Sequence, residues 1–383
     1  MKLTSDLIYG FATSLLSERY DNPKPTPQFH RELWDYCCSD HSLVAIAAPR
    51  GHAKSTAVTH AYTLAAVLFR KADFVVLVSD TELQAVQFLN DIKMELYENQ
   101  KLRSLFKVTD IYKDAEREIR FKMGPDNHRV RIMARGASGG SGSVRGFKWR
   151  GKRPNLIICD DMENDEAVSN EERRDKFRNW FYGALIPALS DTGQIRLVGT
   201  VLHFDSLLER LMPETTGDEA QYTVREKLKE YSLDKKRAWH SIKYRAHTDF
   251  DDFQDILWPE KFDEKRLSKL KNDFIKQGIS EGYAQEYLNY PIHEGDAFFR
   301  KNDFVPMSED DYELSKVYYA AIDFAISEKD KRSYSVITVG GVDHSGVLHI
   351  VDVIRQRMDA KQIIDEMMAV QIRYQPDLFV VEE

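Results

Sequence analysis

Positions 48 to 56 read Ala48-Pro49-Arg50-Gly51-His52-Ala53-Lys54-Ser55-Thr56, directly after the apolar run Leu43 to Ala47. The stretch that follows, Ser55 to Arg70, has the apolar spacing of a helix. A sharp turn from a buried strand into a helix presents successive backbone N–H groups, and the positive end of the helix, to an anion. Lys54 can then reach the β/γ-phosphates of a nucleotide, and the Ser55 hydroxyl can hold Mg²⁺. Pro49 to Thr56 is therefore the candidate phosphate cradle. Its spacing departs from the common Gly-x4-Gly-Lys-Ser/Thr form, because Ala48 and Ala53 stand in the two glycine slots and Gly51 is the only glycine.

A second set of reactive groups follows the apolar run Leu156-Ile157-Ile158-Cys159, which ends in Asp160-Asp161-Met162-Glu163. A buried parallel strand delivers such carboxylates to its C-terminal edge, where a phosphate loop also lies. Asp160 is placed to bind Mg²⁺, and a neighbouring carboxylate to orient or activate the attacking water. Asp161 follows the metal ligand directly. Glu163 has the longer arm and is the favoured base, with Asp161 left open. Gln194 to Val198 is another apolar strand pattern, ending in Gly199-Thr200, and a hydroxyl at that tip can sense the γ-phosphate. Upstream, Gln28 opens a helical stretch in front of the first strand, where its amide could read the edge of adenine.

From Asn127 to Cys159 there is no acidic residue, whereas Arg129, Arg131, Arg135, Arg145, Lys148, Arg150, Lys152 and Arg153 are all basic. The glycines between positions 136 and 146 allow close backbone approach, and arginine brings a planar fork for phosphate. The block calls for an anionic partner, either a nucleotide or a DNA backbone.

The elements that must position these groups alternate. Phe74 to Val78 reads as a strand, Glu82 to Asn99 as a helix and Arg129 to Ala134 as a strand. That rhythm predicts an α/β fold with a mainly parallel sheet covered on both faces. Asn170 to Leu189 reads as one long helix, Asp218 to Arg237 as a polar insertion and Ala238 to Ala246 as a strand. Asp263 to Gln277 and Ser280 to Leu288 read as helices. At 383 residues the chain has room for two or three domains. Its net charge of −8 means that any DNA contact must come from a local basic surface. Three scattered cysteines make neither a disulfide framework nor a zinc set, and suit a reducing cytosol. No run approaches the roughly 18 apolar residues of a membrane span, so no membrane partner is expected.

The order and spacing of four segments carry a resemblance. They are Pro49 to Thr56; Gly142-Ser143-Val144-Arg145-Gly146 leading through Arg153-Pro154-Asn155-Leu156 to Asp160-Asp161; Leu197-Val198-Gly199-Thr200; and Trp258-Pro259-Glu260 followed by Glu286-Tyr287 and Asn289-Tyr290-Pro291. In these the chain resembles, over nearly its whole length, the large terminase subunit of tailed bacteriophages. The resemblance implies a P-loop ATPase of the ASCE type that binds ATP and drives double-stranded DNA into a procapsid. It implies a homo-oligomeric ring on the portal protein, a small terminase subunit as partner, and the host cell cytoplasm as location. It also implies adenine contact at Gln28, coupling at Thr200, and a catalytic arginine acting in cis or in trans. Arg145 is the first candidate for that arginine and Arg50, inside the loop, the second.

The ATPase domain is expected over residues 1–300 and a second domain over residues 301–383, after a linker from Tyr290 to Phe299. There Val317 to Ala321 leads to Ile322-Asp323, and Tyr334 to Val342 and Gly346 to Ile354 are joined by the turn Asp343-His344-Ser345-Gly346. Met358 to Tyr374 reads as a helix and Leu378 to Glu382 as a returning strand. This order resembles the first half of an RNase H-like nuclease. Asp323 and Glu382, on adjacent strands, would share a site for two divalent ions, Mg²⁺ or Mn²⁺, as metal-dependent phosphodiester hydrolysis needs. Such sites usually gather more carboxylates than these two. The remaining acid is expected from a segment beyond Glu383, so the nuclease is expected to be incomplete in this chain and one apolar sheet face to be exposed. Two other readings stay open: a helicase-type DNA-remodelling ATPase whose C-terminal domain does not cut, and a non-catalytic assembly protein silenced by Ala48 and Ala53.

Overall fold

The computed structural model describes residues 2–16, 24–137, 146–212, 225–227, 239–248, 253–291, 305, 307–323, 335–356, 358 and 360–381. The chain divides into two compact units, Met1–Gly295 and Asp296–Glu383.

In the first unit, helices α1 (Ser5–Phe11) and α2 (Gln28–Cys38) precede strand β1 (Leu43–Ala47). The segment from Ala48 to Ser55 then enters a helix whose stretch Thr56–Tyr62 is π-helical and which continues as α3 (Thr63–Leu68). Next come β2 (Phe74–Ser79), α4 (Glu82–Glu98), α5 (Gln100–Phe106), β3 (Val108–Ala115), β4 (Glu118–Met123) and β5 (His128–Gly136). After these follow β6 (Leu156–Asp160), α6 (Asp165–Val168), α7 (Glu171–Trp180), β7 (Gln194–Gly199) and α8 (Leu207–Leu211). The unit ends with β8 (Arg225–Lys227), β9 (Trp239–Tyr244), α9 (Glu264–Lys276) and α10 (Ser280–Leu288).

The strands form one sheet in the order β3-β4-β5-β2-β6-β7-β1-β9-β8. It is parallel from β5 through β9 and antiparallel only at its two ends, the mainly parallel α/β arrangement expected. Every residue of β2 and β6 is buried, because helices cover both faces. Phe29, Leu33, Val58 and Leu89 fill one side, and Trp180, Phe181 and Leu207 the other. β1 pairs with β7 so that Ala47 lies opposite Gly199, and β6 pairs with β7 so that Asp160 lies opposite Val198. This register brings the ends of β1, β6 and β7 to one edge.

Two departures have physical causes. The expected helix over Asn170 to Leu189 breaks after Trp180 into a π turn, Phe181–Leu185, and a short 3-10 turn, Ile186–Ala188. Pro187 has no N–H to continue an α-helix. The block of basic residues is also not all surface. Arg131 is buried on β5, where its guanidinium meets both carboxylate oxygens of Glu118 on β4, at 3.0 and 3.2 Å. That arginine finds its anion inside the fold.

The second unit contains α11 (Glu309–Glu313), β10 (Lys316–Asp323), β11 (Ser335–Asp343), β12 (Leu348–Gln356), α12 (Ala360–Tyr374) and β13 (Leu378–Val381). Its sheet runs β12-β11-β10-β13, with β10 antiparallel to β11 and parallel to β13. In the turn after β11, Asp343 Oδ1 accepts the N–H groups of Ser345 and Val347 at 2.7 and 3.1 Å. Val370 of α12 covers Ala320, Ile322, Ile337 and Val339, while Tyr319, Leu378 and Val380 stand exposed. Arg145, Glu382, the linker beyond residue 291 and the insertion apart from residues 225–227 lie outside the described residues.

Candidate nucleotide-binding site

Two left-handed residues shape the loop after β1. Gly51 sits at φ +74° and Ala53 at φ +55°. Glycine enters that region freely, whereas alanine does so at a cost of roughly 1–2 kcal/mol. Ala53 thus makes the turn that a glycine would make, under strain. A Cβ at Gly51 would meet Phe262 Cζ at 3.0 Å, so the other position has little room for a side chain.

The loop rests on an aromatic floor. His52 stacks on Phe262 with ring centroids 4.5 Å apart, and the Lys261 ammonium donates to the Gly51 carbonyl at 2.7 Å. The Nε2 group of His30, on α2, donates to the His52 carbonyl at 2.8 Å. Burial brings His52 down to about 3 and His30 down to about 4, so both rings are neutral near pH 7. Gln28 lies exposed on the first turn of α2, near this contact in sequence.

Lys54 is buried and points at the other two strand ends. Its Nζ donates to Thr200 Oγ1 at 3.0 Å and lies 3.1 Å from Asp161 Oδ2. The Ser55 hydroxyl donates to Asp160 Oδ1 at 3.1 Å, and the Thr59 hydroxyl donates to Asp160 Oδ2. Thr59 was not among the expected residues; its place four after Ser55, on the same helix face, was the available signal. Asp160 is fully buried, and desolvation, followed by the charge of Asp161, pushes its carboxyl up to about 7. Asp161 sits at φ +41°, with its Oδ1 accepting the Thr200 N–H at 3.1 Å. Strained residues held by many bonds beside one another are common where geometry serves chemistry.

Glu163 is committed elsewhere. Its two oxygens accept the backbone N–H groups of Leu207 at 2.8 Å and Leu208 at 3.0 Å, so it caps α8. Burial raises its carboxyl above the usual range. The geometry therefore brings Asp161, not Glu163, against Lys54. Arg50 points away as well: its Nη1 lies 2.7 Å from Glu286 Oε1 of α10, and its N–H donates to the Glu286 carbonyl at 2.8 Å. A cleft of about 490 Å³ opens between Arg50 and α10, and its rim carries Asp165, Glu281 and Glu286.

The donors fit a hard divalent cation. Ser55 and Asp160 offer hydroxyl and carboxylate oxygens, and Mg²⁺ typically takes one or two such protein ligands and completes its shell with phosphate and water. Among the described residues no group of three or more His, Cys, Asp or Glu side chains gathers into a metal cluster. In the second unit Asp323 ends β10, where it pairs across the strand with Val336 of β11. Ile322 pairs with Val381, and these are the residues immediately before Asp323 and Glu382.

No protein-family model matches the chain, and no curated protein matches it. Among solved structures the chain is similar to the large terminase of bacteriophage HK97, with 15% identity, 97% of this chain and 72% of that one covered, and a TM-score of 0.49. It is also similar to the ATPase domain of the large terminase of Thermus phage P74-26, with 15% identity, 70% of this chain and 94% of that one covered, and a TM-score of 0.47. Likeness at this level does not assign a function, which has to come from the site itself.

Proposed function

We propose that the N-terminal unit is a P-loop ATPase that uses ATP and Mg²⁺ to translocate double-stranded DNA into a procapsid, and that the C-terminal unit is an RNase H-like, metal-dependent endonuclease acting on concatemeric DNA. The observation that carries the ATPase reading is the convergence of Lys54, Thr200 and Asp161 from three strand ends, beside Ser55 and Asp160. Ser55 and Asp160 would hold Mg²⁺, which would supply positive charge to offset that of the phosphates. Lys54 exchanges Asp161 and Thr200 for phosphate oxygens when ATP binds. Asp161 is then released to orient the attacking water and accept its proton, and Gln28 reads the adenine edge.

Translocation of DNA is supported by the order of the four motifs and by the acid-free basic block. Partners follow from the same reading: a ring of identical subunits, a portal protein and a small terminase subunit. For the nuclease, the support is the pairing of β10 with β13, one residue before each candidate carboxylate. We assign Asp323 and Glu382 to two divalent ions there.

The decisive test is Lys54→Ala, which removes a charge that no neighbour replaces. It should abolish ATP turnover and leave the fold intact. Turnover within about threefold of wild type would place the site elsewhere. Packaging of DNA into empty procapsids, dependent on a DNA end, distinguishes this motor from a helicase-type remodeller. Mn²⁺-dependent cleavage of DNA by this chain, lost in Asp323→Ala, would support the nuclease and show that these two carboxylates suffice, against the expectation of an incomplete site.

A further inference from the structure

We propose that Asn289 is a positioning residue that ties the strand end bearing Thr200 to α10, so that this helix moves with the occupancy of the phosphate site; the inference rests on the nucleotide reading above. Asn289 follows α10 at φ +51° and is fully buried. Asparagine often takes that left-handed cap, but the cap itself uses only backbone. Here the side chain does more. Its Oδ1 accepts the Val201 N–H at 2.8 Å, and its Nδ2 donates to the Tyr244 carbonyl at 2.7 Å.

Val201 directly follows Thr200. The Thr200 N–H donates to Asp161 and its hydroxyl accepts from Lys54, so two successive amides reach in different directions. One meets the acid beside the phosphate loop, and the other meets the end of α10. The same helix also holds the loop itself, through both bonds between Glu286 and Arg50. α10 is therefore attached to the site twice, once on the sensing side and once on the binding side.

A phosphate that draws Lys54 from Thr200 and Asp161 changes the bonds of Thr200. Because Val201 is anchored, the change passes to α10 and not into the segment that follows. Deleting the anchor should leave ATP binding nearly intact and impair the step that depends on α10.

Asn289→Gly keeps a residue at ease in the left-handed region and deletes both side-chain bonds. It should lower kcat about tenfold with KM for ATP within about twofold of wild type. Hydrogen exchange at residues 280–288 of the wild-type protein should differ between ATPγS and ADP, and Asn289→Gly should erase that difference. Wild-type protein that turns over ATP without any such exchange difference at α10 overturns the proposal with no variant needed. So does Asn289→Gly with wild-type kcat. Wild-type protein that neither binds nor hydrolyses ATP would instead overturn the nucleotide reading.

Discussion

Asp160 and Asp161 are neighbours in sequence with opposite environments. Asp160 is fully buried, and burial together with the charge of Asp161 raises its carboxyl despite the hydroxyls that Ser55 and Thr59 donate to it, whereas Asp161 is partly open and pairs with Lys54. On the proposed reading a cation held by Asp160 would favour its carboxylate form, and Asp161, released from Lys54, would serve as the base. Asp161→Asn should lose about 10³-fold in turnover while retaining ATP binding, within the range of general-base deletions. Glu163→Gln should lose about tenfold or less, because its role is to cap α8, and an amide oxygen can still accept one N–H. Single-turnover hydrolysis measures both, and the reverse pattern returns the base to Glu163. His52 gives a pH test. Its folded pKa lies below the unfolded value of 6.5, so the unfolded chain binds the extra proton and stability falls as pH drops below 6.5 toward about 3. Asp160 acts in the opposite sense: its folded pKa is raised, and that contribution is lost as pH rises toward 7. A comparison isolates the histidine. Urea stability of His52→Phe should be less acid-sensitive than that of wild type, by up to about 1.4 kcal/mol per pH unit between roughly pH 4 and 6. Lys54 and Ser55 are legible in the sequence because they follow a short turn between an apolar run and a helical stretch, and Asp160 and Thr200 because each sits at the end of an apolar run. The contacts of Thr59, Glu286 and Asn289 are not, because their partners lie far along the chain; Glu286 meets Arg50 across 236 positions.

At the scale of elements, Arg196 shows how the site edge is kept in register. It is fully buried on β7, and its guanidinium donates to the carbonyls of Cys37, Ser39, His41 and Ser42 at 2.8 to 3.3 Å, with Ile195 also in reach. Those carbonyls belong to the end of α2 and the turn into β1, and a helix C-terminus favours a cation. β7 carries Thr200 and β1 carries the phosphate loop, so one side chain sets their relative height. Arg196→Met keeps the stem but leaves buried carbonyls without donors. It should destabilise the unit by about 3 kcal/mol, read from urea unfolding; a loss below about 0.5 kcal/mol would mean that water replaces the guanidinium. The parallel strands were legible because burial on both faces makes them continuously apolar. The hairpin of β3 and β4 was not: only Val108 is buried along β3, so its pattern resembles a polar loop. The π-helical stretch after Ser55 also escapes a reading based on the 3.6 period, since it depends on how the helix seats against α2, where Trp34 Nε1 donates to the Ala57 carbonyl at 2.8 Å.

At the scale of the whole molecule, the proposed ATPase reading calls for a cation at the γ-phosphate that the described site does not supply beyond Lys54. Arg50 is paired with Glu286 of its own chain, so using it at the γ-phosphate means breaking that pair. Arg145, in the acid-free block, is the better candidate on that reading. If Arg145 acts in trans, Arg145→Ala should lose about 10³-fold in turnover in the assembled ring. ATP binding by the monomer should scarcely change. Arg50→Ala should cost less than this, since its contact is with α10. An equal loss from Arg145→Ala in a verified monomer would make the residue a cis catalyst. Unchanged turnover together with weaker, salt-sensitive DNA binding would instead assign Arg145 to the phosphate backbone, with a shallower dependence of log K on log salt concentration.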